Sequence, residues 1–474
     1  MPDLSAYHPT HRARLEALLQ TPAWQAAITN GFVDEVREQR LPPGSTRDFV
    51  ATVVDQLTTC NEEGVRRRIA AGCRDRDGLV AEMSRWPDDL AGMTPLLSFL
   101  GLTLTYGCNF DPRCAYCTQS WQEPAVDLPG WKRIVDEATR NNEGQGPYVY
   151  ITGGEVLTLE EAIWGDDGIV AFASRRGAAV NINTNASLIT PEIALRLIKV
   201  GTSKLHISMD TPDAAVQDEL WGEAGRRDRV LEGIGHLQLA RDLVGVDGPG
   251  IHMNCVLNRH NLDRVGELFG FLCERKKRVP KNHPQFLDLL PHMIPVGGDA
   301  NVDLRPTAAD FERFHDVVWE EVRRQWDRYQ SEAGIEAEDR GPLSGPFRNP
   351  FERVDQGSDL QTYARHAADG HYGRTALSRR CYVAPTQASV TPDGLQYRCG
   401  AHAVRRTQSI GSTAGLGIMD NIRAGLDGGH ELPRAEVCDS CALATVYINQ
   451  SAENKLEERV EALLKETESE VARP

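Results

Sequence analysis

Residues 99–117 read FLGLTLTYGCNFDPRCAYC, an apolar run that ends in a loop carrying Cys108, Cys114 and Cys117. The run has the composition of a strand, and the loop sets three thiols close together. Three thiolates in one loop suit iron–sulfur or zinc. A four-iron cluster held by three protein thiolates leaves one iron open, as catalytic metal sites keep an open position. The alternative is a structural zinc completed by a distant residue.

Further strand candidates follow at regular intervals: PYVYITG (147–153), AVNINTN (179–185), KLHISMD (204–210), GIHMNCVL (250–257) and QFLDLLP (285–291). Helical stretches separate them at 129–141, 159–175, 190–199, 226–243 and 261–275. Six strands alternating with helices imply βαβ units, right-handed crossovers and a parallel sheet, closed or nearly closed into a barrel. Ligands of such sheets sit beyond the carboxyl ends of the strands, where the cysteine loop falls. Gly153, Gly154 and Glu155 follow the second strand at the same end. Paired glycines let a backbone approach a ligand, and Glu155 offers an acceptor for an ammonium.

Strand parity adds a second signal. Asn181, Asn183 and Asn185 share one face of their strand; His206, Ser208 and Asp210 share one face of the next; His252 and Asn254 share one of a third. Parallel strands are normally apolar on both faces, so three polar rows imply a sheet curled around a ligand-filled interior. Isolated buried polar groups satisfied by backbone are the alternative.

The flanks differ in kind. Residues 1–97 show helical periodicity alone and are expected to form a helical N-terminal extension, and residues 98–300 the partial barrel. Residues 301–375 comprise an amphipathic helix at 307–332 and a Gly-, Pro- and charge-rich connector. Residues 376–450 carry Cys381, Cys399, Cys438 and Cys441, and residues 451–474 read as a charged, solvated helix. Asp393-Gly394 signals a hairpin between QASV and LQYR that draws Cys381 towards Cys399. Four thiols including a C-x-x-C pair suit zinc or a fully ligated iron–sulfur cluster. Cys60, Cys73, Cys255 and Cys273 stand apart and read as ordinary small core residues.

Bulk properties exclude other classes. A net charge of −16 disfavours a phosphate backbone as the main partner. No apolar run is long enough to span a bilayer, and the N-terminus lacks the apolar segment of a secretory signal, so a cytoplasmic location is expected.

The thiol triad with Tyr116 before its last cysteine, followed by Gly153-Gly154-Glu155 after the second strand, resembles the radical S-adenosylmethionine (SAM) superfamily over roughly residues 98–300. The resemblance implies a partial (β/α)6 TIM-like barrel in which Cys108, Cys114 and Cys117 hold a [4Fe–4S] cluster whose open iron takes SAM. Gly153, Gly154 and Glu155 would then meet the methionine amine, with Asn183, Asn185, Ser208 and Asp210 along the ribose and carboxylate. The first gap is five residues with Pro112 inside it, where the commonest pattern has three; this bears on the subfamily. Cys381, Gly394 and Cys399 resemble the start of a SPASM/Twitch extension, a small α+β iron–sulfur domain. No cysteine follows Cys441, which favours the Twitch form with one auxiliary [4Fe–4S] cluster.

The resemblance implies an oxidoreductase. The SAM-derived 5′-deoxyadenosyl radical would abstract hydrogen from an unactivated C–H bond, with the auxiliary cluster as an electron sink. The substrate would be a peptide residue or a small sugar or cyclitol alcohol, and the electron donor a flavodoxin or ferredoxin. His206, His252 and Asp288 are the candidate bases by strand-face position. Two readings from other classes remain: a non-catalytic iron–sulfur scaffold, and a zinc-stabilised binding module. Neither accounts for the glycine-glycine-glutamate turn.

Overall fold

The computed structural model describes residues 2–45, 48–86, 96–119, 124–140, 146–296, 299–344, 347–349, 360–369, 381–382, 384–426, 441 and 443–471. The N-terminal region is helical, as its periodicity predicts: α1 (Pro9–Leu19), α2 (Pro22–Thr29), α3 (Phe32–Gln39), α4 (Phe49–Ala70) and α5 (Arg76–Met83). The central region alternates as expected. β1 (Phe99–Thr105), β2 (Tyr148–Gly153), β3 (Ala179–Thr184), β4 (Thr202–Ser208), β5 (Gly250–Leu257) and β6 (Pro291–Pro295) pair parallel in chain order. The intervening helices are α6 (Leu128–Arg140), α7 (Glu161–Trp164), α8 (Ile169–Ser174), α9 (Pro191–Lys199), α10 (Ala214–Trp221), α11 (Arg226–Val244) and α12 (Val265–Cys273).

One face of the sheet is apolar and packs under these helices: Leu100, Leu102, Val149, Ile151, Val180, Ile182, Leu205, Ile207, Ile251 and Met253 are wholly buried. The other face carries the polar rows. Register places Asn183 beside His206, His206 beside His252, and Ser208 beside Asn254. Asn183, His206, Ser208 and His252 on this face are half-buried, whereas Asn181 and Asn254 are buried.

The sixth strand differs from expectation. Pro284–Leu287 form a 3-10 turn, and the strand is Pro291–Pro295. The Lys276 ammonium takes the carbonyls of Phe286 and Asp288, withdrawing them from any ladder. Flanking prolines argue against a central strand, but β6 is the sheet edge, where a missing N–H costs nothing. The helix expected at 159–175 is broken into α7 and α8 between Gly165 and Gly168.

The C-terminal part is continuous with the barrel sheet. After α13 (Ala308–Arg313), α14 (Trp319–Glu332) and α15 (Leu360–Ala368), the expected hairpin forms as β7 (Gln387–Val390) and β8 (Leu395–Tyr397), antiparallel, with Gly394 in the turn at φ 79°. Its first strand pairs parallel with β1, so the sheet runs β6-β5-β4-β3-β2-β1-β7-β8-β9, where β9 is Gly411–Ser412. The hairpin thus extends the parallel sheet beyond β1. It is followed by α16 (Gly400–Arg405) and α17 (Ile418–Leu426).

The last helix, α18 (Leu443–Val471), corrects the expectation of a solvated tail. Ala452, Leu456, Val460 and Leu463 recur at helical spacing and are wholly buried in a second hydrophobic cluster with Val53, Leu57, Val65 and Ile69 of α4 and Leu79 and Met83 of α5. Charged residues on its flanks pair across the contact, Arg459 with Glu62 and Arg76 with Glu461. The first three helices pack elsewhere, on the barrel: Trp24 Nε1 donates to His236 Nδ1 at 3.0 Å, and His11 meets Gln238 at 2.8 Å. No helix among the described residues is long and apolar enough to cross a membrane.

Candidate functional site

The carboxyl ends of β1–β4 open onto a cavity of about 240 Å³. Cys108, Cys114 and Cys117 line it together with Gly153, Gly154, Asn183, Asn185 and Ser208. Tyr116 also faces this cavity, while Glu155 and Asp210 do not line it.

The glycine pair fits by contact with backbone. Gly154 N–H donates to Thr105 O at 2.9 Å and Glu155 N–H to Gly107 O at 2.8 Å. A β-carbon on Gly154 would stand 1.8 Å from Gly107 O, and one on Gly153 2.1 Å from Thr105 O. Any side chain here would push the β2 turn off the root of the cysteine loop.

The carboxylate of Glu155 is turned inward. It accepts from Asn185 N–H at 2.6 Å, Leu157 N–H at 3.0 Å and the Thr184 hydroxyl at 2.8 Å. Burial pushes its pKa up to about 7, and those three donors oppose the shift. Glu155 therefore clamps the ends of β2 and β3 together; in this arrangement its oxygens face donors of the chain itself.

Asp210 plays the matching part on the other side. Its Oδ2 accepts from the Tyr116 hydroxyl at 2.8 Å and from Gln217 Nε2 at 3.1 Å; its Oδ1 accepts from Val256 N–H at 2.8 Å. Trp221 Nε1 donates to the same Tyr116 hydroxyl at 3.0 Å. The carboxylate thus ties the cysteine loop to α10 and β5, and burial raises its pKa to about 6.

The long first gap of the loop has its own anchor. Arg226, 1% exposed, donates to Pro112 O at 2.7 Å and Asp111 O at 2.9 Å, and its guanidinium lies 4.3 Å from the centre of the Phe110 ring. Ala115 N–H donates to Leu220 O at 2.8 Å. The extra residues between Cys108 and Cys114 are therefore held by the junction of α10 and α11.

The thiols suit a cluster. Among the described residues no group of three or more His, Cys, Asp or Glu side chains closes on the position of one metal ion. The three cysteines instead line one cavity, the arrangement a multi-iron cluster needs. Burial pushes the Cys114 thiol up to about 12, a cost that bound iron reverses because a ligating thiol is deprotonated. Phe110 N–H already donates to Cys108 Sγ at 3.4 Å. Gln119 Oε1 is buried in the cavity wall without a hydrogen-bond partner among the described residues, an acceptor suited to an ammonium, while its amide N–H donates to Gly153 O. The donor set fits a [4Fe–4S] cluster with SAM.

Deeper in the interior, the Tyr148 hydroxyl meets His206 Nε2 at 3.0 Å, and the His206 and His252 rings lie edge to face at 5.4 Å. Burial lowers the His206 pKa to about 3 and that of His252 well below its ordinary value, so both imidazoles are neutral. Asp288, grouped with them by parity, is not on a strand. Its carboxylate pairs with the Arg241 guanidinium and accepts from Ile251 N–H at 3.1 Å. Of the second cysteine group, Cys381, Cys399 and Cys441 are half-buried, and Cys438 lies outside the described residues. Arg398 is within electrostatic reach of both Cys381 and Cys399.

Gln119, Trp221 and Arg226 were not legible as site residues. Gln119 follows the last cysteine by two positions, and Trp221 ends a helix beside Gly222; those are their only sequence signals.

A parallel sheet whose first strand delivers a thiol triad to its carboxyl end is the frame of a cluster-dependent α/β enzyme. Residues 102–269 match the Radical SAM superfamily, whose members use a [4Fe–4S] cluster and SAM. It is similar to the AdoMet-dependent heme synthase of Methanosarcina barkeri, 28% identical over 229 residues covering 47% of this chain and 58% of that protein. It is likewise similar to the mycofactocin maturase MftC of Mycolicibacterium smegmatis, 30% identical over 218 residues, 45% of this chain and 49% of that one. The chain thus spans about half the length of the curated relatives it matches. Streptococcus suis SuiB bound to precursor peptide SuiA superposes with a TM-score of 0.46 at 17% identity, over 75% of this chain and 72% of that one.

Proposed function

We propose that the protein is a radical SAM oxidoreductase acting on a C–H bond of a peptide residue, with Cys108, Cys114 and Cys117 holding the SAM-binding cluster. The observation that carries this reading is the shared cavity: three thiols and the Gly153-Gly154 turn at the mouth of a polar interior. When bound, the cluster and SAM supply a 5′-deoxyadenosyl radical that removes a substrate hydrogen, and an auxiliary cluster on Cys381, Cys399, Cys438 and Cys441 supplies an acceptor for one electron.

The chain's own residues do the rest. Gln119 Oε1 and the Gly153 carbonyl would receive the ammonium of SAM. Asn183, Asn185 and Ser208, which line the same cavity, would lie along its ribose and carboxylate. Asp210 and Arg226 act through the loop, fixing where the thiols stand. His206 and His252 are the candidate acceptors for the proton that a substrate radical sheds on oxidation, although the burial that keeps them neutral also makes them weak bases. Asp288, already paired with Arg241, is left out of that role.

Similarity to a maturase supports a peptide substrate. A small-molecule substrate is the second reading, favoured by an N-terminal region whose described elements are all helices. Titration of the anaerobic enzyme with peptides encoded beside its gene separates the two. Low-micromolar binding of one peptide supports the first, and failure of every such peptide refutes it. The expected setting is cytoplasmic, with a flavodoxin or ferredoxin as electron donor.

A further inference from the structure

The second hydrophobic cluster does not stop at helices α4, α5 and α18. Tyr382, 2% exposed, is inserted into it, and Cys381 packs against its edge. One side chain makes the connection. Asn449 of α18, 6% exposed, accepts the Tyr382 backbone N–H on Oδ1 at 2.7 Å, and its Nδ2 donates to Cys381 Sγ at 3.9 Å. One turn further along α18, Glu453 accepts the Tyr382 hydroxyl at 3.1 Å. The polar groups holding residues 381 and 382 thus belong to a helix whose own apolar stripe packs on the N-terminal pair α4 and α5.

We propose that α4, α5 and α18 form a scaffold for the auxiliary centre, and that Asn449 is its positioning residue, orienting Cys381 by one hydrogen bond and donating to its sulfur by another. The inference rests on the assignment of Cys381 as an auxiliary-cluster ligand. A donor aimed at a ligating sulfur stabilises the more negative, reduced cluster and so raises its potential. The same amide holds the ligand's backbone, so its loss also weakens retention of iron. The helices at both chain ends then share one role, setting the auxiliary thiolate against the sheet that carries Cys399 beyond β8.

The test uses the full chain with Cys108, Cys114 and Cys117 all changed to alanine, so that any remaining cluster signal is the auxiliary one. Asn449→Ala and Asn449→Asp are introduced into that background. The Asp variant keeps the acceptor for Tyr382 N–H and so carries the test if the Ala variant fails to fold. A midpoint potential displaced downward in an EPR-monitored redox titration is expected for both. Iron loss to a chelator should be roughly two- to tenfold faster, the factor corresponding to one hydrogen bond. An unchanged midpoint and chelation rate in both variants would overturn the inference while leaving the cluster assignment intact. A triple-cysteine background that binds no iron, or that loses none when Cys381→Ala is added, would overturn both.

Discussion

Replacing Asp210 by Asn separates the two roles open to that carboxylate. The structure gives it three donors from three elements: the Tyr116 hydroxyl, Gln217 Nε2 and Val256 N–H. An amide of the same shape presents one acceptor and one donor. Turned one way it sets its NH2 against Val256 N–H; turned the other, against Gln217 and a Tyr116 hydroxyl that already receives Trp221 Nε1. At least one buried donor is left facing another, at about 1–3 kcal/mol. In a domain of this kind that lowers the melting temperature by roughly 2–4 °C per kcal/mol. Because Tyr116 stands between Cys114 and Cys117, iron retained at the first site should fall with it, whereas SAM affinity per loaded cluster should hold. The assay combines thermal melting, iron and sulfide content, and SAM titration of the reconstituted protein under anaerobic conditions. Unchanged melting and iron content with weakened SAM binding would refute the reasoning and return Asp210 to the cofactor-contacting role that the family resemblance implies.

Other perturbations follow from the same contacts. Gly154→Ala places a β-carbon 1.8 Å from Gly107 O and is expected to abolish iron loading, read as loss of the brown cluster absorbance in the soluble fraction. Arg226→Met keeps the length but drops the two carbonyl contacts that hold the five-residue gap; slower reconstitution and lower iron occupancy are expected, and normal loading would show that the gap needs no anchor. Leu456→Ala removes a wholly buried side chain from the second cluster and should cost about 2–5 kcal/mol, visible as an earlier denaturant transition. His11 and His236 are both held neutral by burial, with pKa values near about 4. Unfolded histidine titrates at about 6.5, so their contribution is complete above that pH and is lost as pH falls towards 4, by up to about 3 kcal/mol each. His236→Gln should flatten that acid limb of a stability–pH profile, and an unaltered slope would contradict it.

Much of the barrel was legible because its signals are periodic. The apolar positions of Val180 and Ile182, or of Leu205 and Ile207, alternate with polar ones, and period two admits one burial pattern. The sixth strand escaped because QFLDLLP is the more strand-like string, while PHMIP is bounded by prolines that only an edge strand tolerates. The tail was misjudged for a different reason. Ala452, Leu456, Val460 and Leu463 form a narrow stripe among many charges, and its partner α4 lies nearly four hundred residues earlier in the chain. No local pattern reports such a contact.

The site divides along the same line. Cysteine spacing and the glycine pair are local, so Cys108, Cys114, Cys117, Gly153 and Gly154 were found from sequence and meet in one cavity. Glu155 and Asp210 were noticed for the right positions, but their direction depends on donors from β3, α10 and β5. Those donors turn both carboxylates into the protein frame. Arg226 and Gln119 carry no motif at all.

The most direct test of the central claim is 5′-deoxyadenosine production by the anaerobically reconstituted protein with SAM and a strong reductant, measured beside Cys114→Ala. Product from the parent and none from the variant is the result this account predicts. A parent fully loaded with iron that releases no 5′-deoxyadenosine would contradict it and favour a cluster-binding scaffold.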